Sequence, residues 1–177
     1  MNYIDKYAVT INEICKRVDV LGKKMLQKLM YLIERKGVSM NLRYSIHFYG
    51  PYSEELDNAI RLLAANDVIN IDTSERTHKI SILDSSSIDY DLMEEEINTI
   101  NFILDNFSDK TPNELEALTT LDFVAKEIIE NNGSHEDIIN EVLKIKGTKF
   151  TTYFLKEQLE LLKECGFISQ SMNEMVC

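Results

Sequence analysis

The sequence predicts a mainly α-helical protein with a small β-hairpin, in which a winged helix-turn-helix-like N-terminal half precedes an all-helical acidic half. Apolar residues recur at spacings of three and four along most of the chain, and period-two alternation is confined to short stretches between residues 43 and 82. Residues 1–84 carry 12 Lys/Arg and 11 Asp/Glu (net +1), whereas residues 85–177 carry 7 and 19 (net -12). These features predict a module at 1–84, a serine- and aspartate-rich linker at 85–91, and a helical module at 92–177 packed on the first.

The 177 residues suffice for one domain or for two small modules. No apolar run reaches the roughly 18 residues of a membrane span, and the N-terminus lacks a signal-peptide pattern. The three cysteines, Cys15, Cys165 and Cys177, show neither metal-ligand nor disulfide-framework spacing. We therefore expect a reduced, cytoplasmic protein in which Cys15 and Cys165 are small core residues.

The first half reads helix, helix, extended segment, helix, hairpin. One helix has its apolar stripe at Ile4, Ala8, Ile11, Cys15 and Val18, and the next at Leu26, Leu29, Met30 and Ile33, ending at Gly37. Residues 43–49 are aromatic and partly alternating, which predicts a short strand that ends at Gly50-Pro51. Ser53 then caps a third helix, and Ile69 and Ile71 face Ile80 and Ile82 in a β-hairpin.

The second half contains the clearest helix starts. Met93, Ile97, Ile100, Leu104 and Phe107 predict one buried stripe. Thr111-Pro112-Asn113-Glu114 is a capping box with proline at the first helical position. Ser134 begins a further helix that Gly147 ends, and a last helix runs from about Thr151 to Cys165.

The chain shows no pattern of an enzyme. His47, His78 and His135 are scattered, so no metal site is predicted, and neither a phosphate-binding glycine loop nor a nucleophile motif occurs. The three carboxylates of residues 94–96 are interpreted as a solvated face favoured by the helix dipole. We predict no catalytic residue and no cofactor.

The order of elements in residues 3–84 is that of a winged helix-turn-helix. A DNA-binding transcriptional regulator is therefore an alternative function. Its candidate phosphate contacts are Lys23, Lys24, Lys28, Arg76 and Lys79. Such a regulator would be expected to form a homodimer, because paired half-sites need two copies. However, Glu54, Glu55 and Asp57 occupy the start of the third helix, where base edges would be met.

Two stretches carry a family resemblance. LQKLMYLIERKG (26–37) and YSIHFYGPYSEELDNAIRLLAANDVI (44–69) resemble uncharacterised bacterial YwgA-like proteins and, more distantly, the phage-associated Panacea or SocA-like antitoxin domains. Phe48 through Ser53 match the turn of these families, whereas Asp67 stands where glycine is commoner. Residues 148–168 also look like the C-terminal helix of the YwgA type. The resemblance implies a small cytoplasmic helical protein with winged-helix character and no established reaction.

We therefore favour a non-enzymatic regulatory or adaptor protein that binds another protein and is antitoxin-like, with the DNA-binding regulator as the alternative. The antitoxin resemblance implies that the chain neutralises a toxin or delivers one to a protease. The candidate partner-binding residues are Tyr49, Tyr52 and Arg61. Tyr49 and Tyr52 flank Gly50-Pro51, so they are the aromatic residues by which this corner would meet a partner.

Overall fold

A computed structural model describes residues 3–74, 78–84, 88 and 90–170. The protein is mainly helical, with small antiparallel sheets, and it divides into two compact units. Unit 1 comprises residues 1–45 and 52–110, and unit 2 comprises residues 46–51 and 111–177. In the described ranges the helices are α1 (Tyr3–Cys15), α2 (Lys23–Arg35), α3 (Glu54–Ala65), α4 (Glu94–Phe107), α5 (Pro112–Glu130), α6 (His135–Lys146) and α7 (Thr152–Glu164). The strands are β1 (Leu21–Gly22), β2 (Ser45–His47), β3 (Gly50–Tyr52), β4 (Ile69–Asp72) and β5 (Lys79–Ile82).

Unit 1 contains the predicted hairpin. Ile69 pairs with Ile82 and Ile71 with Ile80, which confirms the period-two interpretation of these strands. The sequence did not predict β1, a two-residue strand that pairs with β5 and makes the sheet order β1-β5-β4. Two residues are too few to show any periodicity, so β1 is specified by its partner strand rather than by its own sequence.

The three helices α1 to α3 begin and end close to the predicted residues. Ser53 caps α3, its hydroxyl accepting a hydrogen bond from the Leu56 amide, and Gly37 follows α2 with a φ of +111°. Leu26, Leu29, Met30 and Ile33 are fully buried, as their spacing predicts. Cys15 is half-buried rather than a full core residue, and burial raises the pKa of its thiol.

Helix α4 is where the predicted stripe is partly wrong. Met93 and Ile97 are 62% and 41% exposed, and the buried face is Glu96, Ile100, Ile103, Leu104 and Phe107. Glu96 was predicted to lie on a solvated face together with Glu94 and Glu95. It is instead 6% exposed, because its carboxylate pairs with the buried ammonium of Lys6 in α1.

The predicted strand at 43–49 is shorter than expected and does not end at Gly50-Pro51. The chain turns at Phe48-Tyr49, and Gly50 begins β3, which pairs with β2. Gly50 adopts a φ of +88°, a conformation that glycine tolerates and other residues rarely adopt. The residue with positive φ is therefore Gly50, which directly follows the two-residue turn.

Unit 2 contains α5, α6 and α7. Thr111 and Ser134 are the N-caps of two capping boxes. The side chains of Glu114 and Asp137 accept hydrogen bonds from the backbone amides of these two residues, so both predicted helix starts are confirmed. Gly147 ends α6 with a φ of +59° and is followed by a short 3-10 turn at Gly147–Lys149. Cys165 is buried and forms no disulfide bond within the described part of the chain, and Cys177 lies outside that part.

The predicted division at residues 85–91 stays a prediction. Residues 85–87 and 89 lie outside the described part of the chain. Within the described residues, no helix combines the length and the apolar character that a bilayer crossing needs.

Candidate protein-binding site

The turn between β2 and β3 carries the most exposed aromatic pair described in unit 2. Phe48 and Tyr49 are 79% and 44% exposed, and their rings meet edge to face with centroids 4.9 Å apart. This edge-to-face geometry is a favourable arrangement for two aromatic rings. We call residues 46–51, which end in this pair, the aromatic tip.

One buried carboxylate on α5 connects the aromatic tip to two lysines. Glu116 is 4% exposed, and its two oxygens lie 2.9 Å from Lys146 Nζ and 2.7 Å from Lys149 Nζ. Lys146 also donates a hydrogen bond of 2.7 Å to the carbonyl oxygen of Phe48. The Lys149 ammonium lies 6.0 Å from the ring centre of Phe48 and 5.5 Å from that of Tyr49, within cation–π range. We call Glu116, Lys146 and Lys149 the tip lock.

Gly50 brings the backbone of the tip close to α5. A β-carbon at this position would lie 2.9 Å from Thr120 Oγ1 and 3.5 Å from Glu116 Cγ. The Thr120 hydroxyl is itself fixed, because it donates to the Glu116 carbonyl oxygen at 2.6 Å. Glycine is thus required here both for its φ and for the approach of the two backbones.

Unit 1 contains a second polar cluster at the start of α3, which we call the corner cluster: Lys23, Tyr52, Asp57 and Arg61. The side chain of Asp57, 12% exposed, accepts from Arg61 Nη2 at 2.7 Å and from Lys23 Nζ at 3.4 Å. The Tyr52 hydroxyl also donates to this carboxylate. Asp57 therefore connects the first residue of α2, the last residue of β3 and a residue of α3.

The pKa shifts in the corner cluster follow from these bonds. Burial alone would raise the pKa of Asp57, but hydrogen bonds from Arg61 and the charge of Lys23 outweigh it, and the pKa is lowered. Burial, and then the neighbouring Asp57 carboxylate, raise the pKa of Tyr52. Asp57 is thus ionised and Tyr52 neutral at pH 7, which is the combination that the hydrogen bonds require.

The structure distributes the sequence-predicted partner-binding residues over both clusters. Tyr49 lies in the aromatic tip, whereas Tyr52, half-buried, and Arg61, whose side chain is 71% exposed, lie in the corner cluster. Tyr52 is accordingly more a structural residue than an exposed contact. Phe48, next to Tyr49, was predicted as part of the strand and of the family turn but not as a partner contact, and it is the most exposed ring of the tip.

The predicted nucleic-acid contacts do not form one exposed group. Lys24 and Lys79 are exposed, Lys23 is half-buried and paired with Asp57, and Lys28 is only 4% exposed. Arg76 lies outside the described residues. Lys28 stands three and four residues before the buried Tyr31 and Leu32 on α2, and this spacing could have indicated its burial.

Unit 1 also has a half-open pocket of about 350 Å³, whose lining includes Lys6, Lys36, Glu95 and Glu96. Neither Tyr49 nor Tyr52 lines it. Among the described residues, no group of three His, Cys, Asp or Glu side chains is arranged to hold a metal ion.

The structure is that of a mainly helical protein with an exposed aromatic pair, Phe48 and Tyr49, and comparison with known proteins adds a family. Residues 26–122 match the family described as antitoxin SocA-like, Panacea domain, which is more than half of the chain. The chain belongs to this family, as its resemblance predicts. The matched range includes Phe48, Tyr49 and Glu116 of the site, whereas Lys146 and Lys149 lie beyond it.

The chain is also similar to the uncharacterized protein YwgA of Bacillus subtilis (strain 168). The two are 45% identical over 38 residues, which is 22% of this chain and 23% of YwgA. The matching segment thus spans less than a quarter of that relative's length. It supports the predicted YwgA resemblance and carries no function with it.

Proposed function

We propose that this protein is a non-enzymatic, antitoxin-like regulator that works in the cytoplasm by binding a toxin protein and neutralising it. The observation that carries the proposal is the Phe48–Tyr49 pair, 79% and 44% exposed on a tip held by buried charges. Membership of the SocA-like antitoxin family supports a protein partner over a small-molecule substrate. The cytoplasmic location is proposed from the cysteine spacing, which lacks the pattern of a disulfide framework.

The chemistry of the tip suits an interface better than a solvated surface. Aromatic side chains that enter a partner's pocket dominate the binding free energy of many interfaces, because they bury a large area with few rotatable bonds. Phe48 exposes an apolar ring without any polar group of its own, and the tip is fixed before the partner arrives. A fixed contact loses less conformational entropy on binding.

Arg61 is a second proposed contact with the partner. Two of its nitrogens, Nε and Nη2, are bonded to Asp57 at 2.9 and 2.7 Å, yet the side chain stays 71% exposed. The guanidinium is therefore oriented and still accessible, and it retains donors for a carboxylate or a carbonyl of the partner.

The proposal is tested by comparing three tagged versions of the chain in the native host. The wild type, the tip variant F48A/Y49A and the control Y153A are purified with their bound proteins, which mass spectrometry identifies. Tyr153 is a suitable control because it is another exposed aromatic of unit 2, 72% exposed on α7. We expect one stoichiometric protein with the wild type and with Y153A, and its loss with F48A/Y49A.

Expression of the recovered protein alone should arrest growth, and co-expression of the wild-type chain should restore it. Co-expression of F48A/Y49A should not. Failure to recover a stoichiometric partner, or equal rescue by the tip variant, would contradict the proposal.

A second candidate function, a winged-helix DNA-binding regulator, is favoured by the topology of unit 1. The element order α1-β1-α2-α3-β4-β5 with the sheet order β1-β5-β4 is compatible with a helix-turn-helix followed by a wing. The acidic first turn of α3 and the burial of Lys28 argue against groove binding by this surface. We therefore rank it second.

DNA binding is testable through its salt dependence. If Lys24 and Lys79 contact phosphates, binding of promoter DNA should weaken steeply as salt rises, and K24A/K79A should reduce the slope by about two. Absence of binding at low salt would remove this candidate.

A further inference from the structure

We infer that Glu116 is a positioning residue, which holds the aromatic tip in a preformed orientation through Lys146 and Lys149; this rests on the proposed role of the tip as the contact surface. Glu116 does not contact the partner itself, because it is only 4% exposed. Its effect on binding is exerted through the two lysines.

The first connection fixes the backbone of the tip. The Lys146 side chain is 4% exposed, so its ammonium group has left water and needs charged or polar partners inside the protein. Those partners are the Glu116 carboxylate at 2.9 Å and the Phe48 carbonyl oxygen at 2.7 Å. A lysine that is already held by Glu116 thus also holds the turn residue Phe48 in place.

The second connection orients the rings. Lys149 is bound to the other oxygen of Glu116 at 2.7 Å, and its ammonium faces the rings of Tyr49 and Phe150, each 5.5 Å away, and of Phe48 at 6.0 Å. Phe150 is 6% exposed and stacks on Phe154, so it forms the inner wall of this arrangement. The cation therefore lies between a fixed inner ring and the two exposed rings of the tip.

The balance of charge explains why one residue controls both connections. A single buried carboxylate serves two ammonium groups, so neutralising it leaves both lysines without their anion. The buried Lys146 ammonium and the part-exposed Lys149 ammonium would then turn towards water, and the tip would lose its backbone bond and its ring contact together. Removal of either lysine alone leaves the other connection in place.

A tryptophan at position 48 reports the mobility of the tip, because the chain contains no other tryptophan. Time-resolved fluorescence anisotropy is measured on full-length F48W, F48W/E116Q and F48W/E127Q. Glu127 is the matched control, since it lies on the same helix but is exposed. In F48W and F48W/E127Q, we expect the indole to tumble mainly with the whole protein.

In F48W/E116Q the fast, local share of the anisotropy decay should at least about double, because an unheld exposed side chain moves in picoseconds to nanoseconds. Circular dichroism shows whether the helices are retained. If E116Q fails to fold, F48W/K146M replaces it, because this variant removes the ammonium that binds the Phe48 carbonyl. An unchanged decay in the folded variant would overturn the inference.

The measurement needs no partner, so it is independent of the proposed function. A more mobile tip in E116Q combined with full toxin binding by F48A/Y49A would contradict the proposed function and still support the positioning role of Glu116. A tip that stays rigid in E116Q, combined with loss of binding by F48A/Y49A, would contradict the lock alone.

Discussion

The two units each contain a buried lysine–glutamate cluster, and the clusters differ in what they connect. In unit 1, Lys6 and Glu96 join α1 to α4 as one cation with one anion, both almost fully buried, and Lys6 also donates to the Ser39 carbonyl oxygen. In unit 2, Glu116 binds two cations, and one of these binds the exposed turn at Phe48. The first cluster stabilises a helix pair, and the second stabilises a surface.

The two clusters both require the desolvation of charged side chains, but they stabilise different parts of the protein. Desolvation of an ion pair offsets most of its Coulomb energy, so neither cluster is expected to add much stability over apolar side chains of similar volume. Removing one partner is a different matter, because the remaining charge stays buried. The following variants separate the global role of the first cluster from the local role of the second.

The largest effect is expected for Lys6→Met. The variant leaves the Glu96 carboxylate buried without its cation, which should lower the free energy of unfolding by about 3–5 kcal/mol. The control Lys16→Met, in the turn directly after the same helix, breaks a solvent-exposed pair with Glu13 and should cost less than about 1 kcal/mol. Urea unfolding measures both, and equal losses would contradict the buried role of Lys6.

The next effect concerns the backbone of the tip. Gly50→Ala adds a β-carbon that would lie 2.9 Å from Thr120 Oγ1 at a φ of +88°, and we expect a loss of roughly 1–3 kcal/mol. Gly37→Ala is a matched control, because its φ is +111° but nothing lies within 4 Å of the added atom. Urea unfolding of both variants separates backbone strain from the close contact. A loss in G37A as large as in G50A would assign the effect to φ alone.

A smaller, pH-dependent effect is expected for Asp57→Asn. Because the folded-state pKa of Asp57 is lowered, its contribution is present above the unfolded-state pKa and is lost as the pH falls through the folded value. D57N should therefore lose about 1–3 kcal/mol at pH 7, and the difference from wild type should begin to narrow as the pH falls below about 4.

The control for this variant is Asp105→Asn, since the Asp105 side chain is 60% exposed in its pair with Arg17. Its stability should stay within about 1 kcal/mol of the wild type at either pH. Thermal unfolding at pH 7 and pH 3.5 measures both variants, and a D57N deficit that persists unchanged at pH 3.5 would contradict the ionised corner cluster.

Local signals allowed much of the fold to be predicted from the sequence. Thr111 with Glu114, Ser134 with Asp137, and the Ser53 cap each act within three residues, so the pattern contains all the information the helix start requires. The hairpin register followed from alternation for the same reason.

The functional clusters could not be predicted in this way, because their partners lie far apart in the chain. Lys6 and Glu96 are separated by 90 residues and Lys149 and Glu116 by 33, and no periodic pattern links such positions. Glu96 therefore looked like one of three solvated acids. Tyr49 and Tyr52 looked equivalent around Gly50-Pro51, and only their partners show that the first is exposed and the second half-buried.

The most direct test of the central claim is the affinity of the recovered partner for three variants, measured by isothermal titration calorimetry. Phe48→Ala should weaken binding by about 30-fold or more, as expected for an aromatic residue at the centre of an interface. The exposed control Tyr153→Ala should change the affinity less than about twofold, and Arg61→Ala should lie between the two. Equal affinities for F48A and the wild type would contradict binding through the aromatic tip.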